Sequence, residues 1–142
     1  MTSSILTTHV GSLPRSKELS ELLFAKDKKE TFNEKTFEFE VKKNVENVVK
    51  KQLEVGIDII SDGEMSKISY ATYIKDRLKG FSGESERKAP ADLDAFDEYK
   101  IKIAKSGGTP TYVRPCCTSE LEIQDEESLK LDIKNFTDSL KK

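Results

Sequence analysis

The residues best suited to chemistry stand in two short turns, Gly11-Ser12-Leu13-Pro14 and Asp62-Gly63-Glu64. Ser12 can donate a hydrogen bond to a carboxylate, and Gly11 lets a ligand approach the backbone closely. Glu64 can pair with an ammonium group, a charge-assisted contact that strengthens once water is excluded. An amino acid carries both charges, so the two turns together fit such a ligand. Either turn alone is a weak motif, since a Gly-Ser-Leu-Pro turn can simply end a strand and Asp-Gly-Glu can be a polar turn. His9, the only histidine, closes a short apolar run, where a packed, hydrogen-bonded ring is commoner than a ligand. Cys116 and Cys117 are adjacent, which disfavours a disulfide between them. On a strand they point to opposite faces, so at most one addresses a site, and the commoner role is a buried structural thiol. One histidine and two cysteines fall short of a self-contained tetrahedral zinc site. Arg15 and Arg114 read as solvated or carboxylate-paired.

Elements must hold these turns in place. Ile5 to Val10 is short, β-branched and apolar, and predicts a buried strand. Ser16 is placed to cap a helix carrying Leu19, Leu22 and Leu23. A lysine-rich, solvated connector over 25–33 follows. Phe37, Val41, Val45, Val48, Val49 and Leu53 recur at helical spacing from about Glu34 to Val55, and Gly56 is placed to end that helix. Ile57 to Ser61 predicts a second strand. Tyr70, Tyr73, Ile74, Arg77 and Leu78 predict a helix closed by Gly80, then a loop or hairpin over Phe81 to Asp94. Phe96 to Lys105 predicts another helix, and Thr111 to Arg114 a third strand ending near Pro115 to Thr118. In the last helix Leu129, Ile133, Phe136 and Leu140 form the expected buried stripe, with Asp125 to Glu127 and Lys141-Lys142 complementing its dipole. Strand followed by helix, three times over, predicts an α/β fold with parallel strands in a single domain, 1–142. A complete (β/α)8 barrel takes about 250 residues. This pattern supplies roughly its first three units, whose sheet edges need further cover.

Composition narrows the function. Across 142 residues, 24 Lys+Arg against 26 Asp+Glu leave a net charge of -2, which excludes a basic nucleic-acid footprint. Seven Phe and four Tyr remain to build a core although Trp is absent. No apolar run approaches the ~20 residues that cross a bilayer, and the N-terminus lacks the basic and apolar regions of a secretory signal. A cytoplasmic protein with reduced thiols, without nucleic-acid or membrane partners, is expected.

Three segments, in order, resemble the cobalamin-independent methionine synthase family at the start of its catalytic C-terminal barrel. They are Thr7-Thr8-His9-Val10-Gly11-Ser12-Leu13-Pro14-Arg15, then Gln52 to Glu64 with the aromatic helix and Gly80-Phe81, then Ala89 to Leu93 with Tyr99 and the Arg114 to Thr118 strand. The resemblance implies a partial TIM barrel and zinc-dependent transfer of a methyl group from 5-methyltetrahydrofolate to the homocysteine thiol, making methionine. Val10, Gly11 and Ser12 then hold the amino acid, Glu64 grips it, Asp62 joins them, and Arg87 and Lys88 fall where the family binds folate. It also implies that the three strand ends, Val10–Ser12, Asp62–Glu64 and Cys116–Ser119, face one mouth. The family's zinc ligands, a His-x-Cys pair, a glutamate and a later cysteine, lie in the second half of its barrel and have no counterpart here. Thr118-Ser119-Glu120-Leu121 departs from the family's Thr-Gly-Pro. Catalysis by this chain alone is therefore not expected. Two alternatives stand beside the incomplete enzyme: half of a split enzyme acting on another thiol, its barrel completed by a second chain, and a non-catalytic amino-acid-binding module that self-associates as a homodimer.

Overall fold

Two capped helices carry the core. Ser16, with extended backbone, accepts a hydrogen bond from the Leu19 amide at 3.2 Å and starts α1 (Lys17–Asp27). Asn33 accepts from the Thr36 amide at 3.0 Å and starts α2 (Glu34–Glu54). Each cap satisfies an amide that the first helical turn leaves unpaired. Beyond α2 the chain turns through Gly56 at φ 76°, a left-handed conformation that suits glycine and that its position in the sequence predicts. Leu19 and Leu23 of α1 interlock with Val41, Val45 and Val49 of α2, and Met65 closes the cluster from the following turn. The structure is a computed structural model and describes residues 5–85, 91–93, 95–105 and 114–141.

The two apolar segments flanking these helices run parallel and share one isolated β-bridge, Thr8 with Ile59, among the described residues. They are not the buried strands that their composition predicts. Ile5 is 95% and Val10 88% exposed. Among the described residues no further strand bridges either segment, so their outer edges are uncovered, although Ile60 packs against the core.

The remaining sheet also differs from expectation. After α3 (Tyr70–Arg77) the chain passes directly into β1 (Leu78–Ser85), so Gly80 lies inside a strand and does not close a helix. The 3₁₀ turn Ala91–Leu93 and α4 (Asp97–Lys105) follow, then β2 (Arg114–Ile123). Residues 111–113 of the expected third strand lie outside the described residues, and β2 is antiparallel to β1 rather than parallel to the first segments. An antiparallel partner needs only a returning chain, whereas a parallel one needs a crossover to the same end of the sheet. The register pairs Leu78 with Ile123 and Phe81 with Cys117, with an irregularity between Lys79 and Phe81. Gly80 sits there at φ 97°, and a Cβ on it would stand 2.6 Å from the Glu120 carbonyl oxygen. Only glycine fits.

The last helix, α5 (Glu127–Ser139), packs on α2 and is rotated from the expected orientation: of the stripe Leu129, Ile133, Phe136 and Leu140, Phe136 alone packs against the core. Asn135 and Ser139 are its buried residues, while Leu129, Ile133 and Leu140 are exposed. Specific polar contacts hold the buried side: Ser139 Oγ donates to the Asn135 carbonyl at 2.7 Å, and Arg77 bonds Asp132. The chain is thus a mixed α/β structure with a two-stranded antiparallel sheet. No helix among the described residues is long and apolar enough to cross a membrane.

Candidate functional site

Two buried amides on the core side of α2 set the spacing of the two turns. Asn44 accepts from the Ser16 amide at 3.0 Å and donates to Ser16 Oγ at 3.2 Å and the Glu40 carbonyl at 2.8 Å. Gln52 donates to the carbonyls of Ser61 at 2.8 Å and Val48 at 3.0 Å, and accepts from the Ser61 amide at 3.1 Å. Ser16 follows the first turn and Ser61 precedes the second. Eight residues of α-helix measure about 12 Å, so a rigid rod fixes the distance between the two anchor points. Thr7 and Asp58 tie the segments further out: the Thr7 amide and hydroxyl both donate to Asp58 Oδ2 at 2.8 Å. These bonds, backbone first and then side chain, hold the Asp58 carboxyl below its ordinary pKa.

Between those anchors the turns meet directly. The Leu13 amide donates to the Gly63 carbonyl at 3.0 Å. Ser12 Oγ donates to Glu64 Oε2 at 2.6 Å. Glu64 has φ 57°, a left-handed conformation uncommon outside glycine, and its amide donates to Asp62 Oδ1 at 3.0 Å. Gly63 is left-handed as well, and a Cβ there would come within 3.0 Å of Leu13 Cβ, which is how the turns approach so closely. Arg15 reaches beneath the second turn, its guanidinium donating to the carbonyls of Glu64 at 2.9 Å and Lys67 at 2.7 Å. Burial lowers the Arg15 pKa, and the charge of Glu64 opposes that shift. Replacing Arg15 by Met leaves both carbonyls without this donor. The expected cost is about 1–3 kcal/mol, read as a lower urea midpoint with an unchanged slope, and Arg15→Lys should recover part of it.

The structure therefore brings Ser12, Asp62 and Glu64 together as their spacing suggests. Val10 is exposed, and the space beside Gly11 is open. Cys116–Ser119 are not at this site in the way expected of a third parallel strand. They lie in β2, where Cys116 and Cys117 pair with Ser82 and Phe81 and the Thr118 hydroxyl meets that of Ser82 at 2.7 Å. Neither thiol is core: Cys116 is half-buried and Cys117 exposed. His9 is half-buried, with no hydrogen-bond partner for Nε2 among the described residues. Arg87 and Lys88 lie outside the described residues. Among those described, no group of three or more His, Cys, Asp or Glu is placed to hold a metal ion, so they do not fit the zinc that the resemblance implies.

Both turns, with α1, α2 and α3, lie within the match to a family model described as "Cobalamin-independent synthase, Catalytic domain", which spans residues 5–96. The chain belongs to this family. Similar proteins include the 5-methyltetrahydropteroyltriglutamate--homocysteine methyltransferase of Bifidobacterium longum, 35% identical over 75 residues. The enzyme of the same name in Buchnera aphidicola is 32% identical over 76 residues, and that of Pasteurella multocida 33% over 76. Each alignment covers 53–54% of this chain and 10% of the relative, so the chain spans about a tenth of the curated relatives it matches. Within this cobalamin-independent synthase domain, sequence reasoning missed Asn44 and Gln52, and it read Arg15 as solvated or carboxylate-paired where the side chain is part-buried and bonds two backbone carbonyls. Asn44 and Gln52 did leave a signal, because two amides fall on the apolar stripe of α2, where only paired polar groups are stable.

Proposed function

We propose that residues 1–142 form a single domain, the homocysteine-holding N-terminal part of a (β/α)8 barrel in a cytoplasmic methyltransferase of this family. In the reaction, the sulfur–methyl bond to homocysteine forms as the nitrogen–methyl bond of 5-methyltetrahydrofolate breaks. The thiol proton ends on that folate nitrogen, and methionine is the product. The backbone of Val10 and Gly11 with the Ser12 hydroxyl takes the amino acid's carboxylate. Glu64 takes its ammonium group, and Asp62 steadies Glu64 through the turn amide. Arg87 and Lys88 reach the folate. Zinc, which turns a thiol into a thiolate at neutral pH, requires ligands from outside these residues, so the chain alone binds without turning over.

The observation that carries this reading is the 2.6 Å contact between Ser12 and Glu64, joining residues 52 apart in sequence. It brings both groups within reach of one ligand: on binding, the Ser12 hydroxyl turns from Glu64 to the amino acid's carboxylate and leaves Glu64 to its ammonium group. Titration calorimetry with L-homocysteine tests it. Glu64→Gln is expected to weaken binding at least about tenfold, by loss of a charge-assisted bond. Binding unchanged in that variant overturns the assignment. A second reading, half of a split enzyme acting on another thiol, is favoured by the bare edges of Ile5–Val10 and Ile57–Ile60. A second chain covering them should carry the family's His-x-Cys segment.

A further inference from the structure

α5 turns a largely polar side and Phe136 to the protein and leaves most of its apolar stripe in water. Asn135 and Ser139 are buried, and Asp132 is held by Arg77 at 3.2 Å. The opposite stripe is left open, with Leu129 45%, Ile133 55% and Leu140 45% exposed. It continues into an apolar groove floored by Ile74, Leu78 and Ile123. An amphipathic helix ordinarily buries such a stripe, and a contiguous exposed apolar face marks an interaction surface.

We infer that two copies of the chain pair through this face, with α5 of one packed antiparallel on α5 of the other about a two-fold axis. The charges beside the stripe select this occupant. At 100° per residue, Glu126, Lys130 and Lys141 flank the same side of the stripe, with Glu126 at its N-terminal end and Lys141 at its C-terminal end. Antiparallel pairing sets Glu126 of each copy near Lys141 of the other and Leu129 near Leu140. Parallel pairing sets these flanks on opposite sides of the seam, so that Glu126 of one copy cannot reach Lys141 of the other. The intrahelical pairs these charges now make, Lys130 to Glu126 at 3.7 Å and Lys141 to Asp138 at 3.4 Å, are exposed and rearrange at little cost. α5 lies beyond the family match at 5–96, and the pairing does not depend on the homocysteine reading. A contact built on one helix of about 20 Å is small. Reversible, concentration-dependent dimerisation is the expected form.

Sedimentation equilibrium of the full chain over a wide concentration range is the test. A monomer–dimer equilibrium is expected, and Ile133→Gln should raise the dissociation constant at least about tenfold. Far-UV circular dichroism of that variant should be unchanged, because the side chain is already more than half exposed, and Leu129→Gln gives an independent second reading. Glu126→Lys should weaken the dimer, and adding Lys141→Glu should restore it. A chain that stays monomeric at every concentration overturns the proposal, as does a dimer indifferent to Ile133→Gln and Leu129→Gln. A double charge variant no tighter than the single one overturns the antiparallel arrangement.

Discussion

Replacing Arg77 by Met is expected to destabilise the protein by about 3–5 kcal/mol, the range for breaking a largely buried ion pair from one side. The Arg77 guanidinium, 13% exposed, bonds Asp125 at 2.6 Å and Asp132 at 3.2 Å and sits 4.7 Å from the centre of the Tyr73 ring. Its backbone carbonyl also accepts from the Gln124 amide at 2.9 Å. One residue at the end of α3 thus fastens the exit of β2 and the polar side of α5. Burial works against its charge, but Tyr73 and the two aspartates outweigh that and raise its pKa. Asp132 is the partner left stranded in the variant. Burial already raises its carboxyl above the ordinary range, against the pull of Ser66 and Arg77, and without Arg77 it rises further. A carboxyl raised in the folded state binds more protons there than in the unfolded chain, so its penalty is present at neutral pH and fades as pH falls through the raised value. The difference between Arg77→Met and the natural protein should therefore shrink on acidification. Adding Asp132→Asn should remove that part of the pH dependence. Urea titrations at several pH values read both effects.

Leu19→Ala should cost about 3 kcal/mol and lower the thermal midpoint by roughly 10 °C. Leu19 is completely buried, one of six buried apolar residues in the described core. Its loss opens a cavity between α1 and α2 that neighbours tied by Asn44 and Gln52 have little freedom to fill. Leu53→Ala, on the exposed side of α2, should change stability by less than about 0.5 kcal/mol. Comparable losses at the two positions would show that the α1–α2 contact is not the core.

The contrast between these leucines was not readable in the sequence, since Leu53 falls on the same apolar spacing as Val49 yet is 55% exposed, but much of the helical frame was. Phe37 to Leu53 recur at helical spacing and Gly56 follows, and α2 spans Glu34–Glu54. The Ser16 cap was equally local. Both site turns were visible as residue types, because glycines and short polar side chains mark close approaches of backbone. Strand direction was not visible, since Leu78 to Ser85 has no clear alternation and whether it pairs parallel or antiparallel depends on where residues 86–113 take the chain. The orientation of α5 was hidden for another reason. Leu129, Ile133, Phe136 and Leu140 form an apolar stripe by spacing alone, but Arg77, 55 residues from Asp132, draws the neighbouring side inward, so that of the stripe Phe136 alone reaches the core. Periodicity records which residues share a face, not which face has a partner. Arg15 was read as solvated or carboxylate-paired because its two acceptors are backbone carbonyls, which every residue has.

The bonds that join the two turns also decide when they can exist during synthesis. Ser12 waits for Glu64 and Arg15 for Lys67, each 52 residues later. Closing a flexible loop of that length costs roughly 3–4 kcal/mol of chain entropy, which no single hydrogen bond offsets. α1 and α2 shorten the effective loop by packing first, and Met65 completes their core just beside Glu64. A nascent chain stalled before Glu64 thus exposes both an unfinished core and a lone Ser12. Once Lys67 has left the ribosome, the core and the turns should form in a single cooperative step.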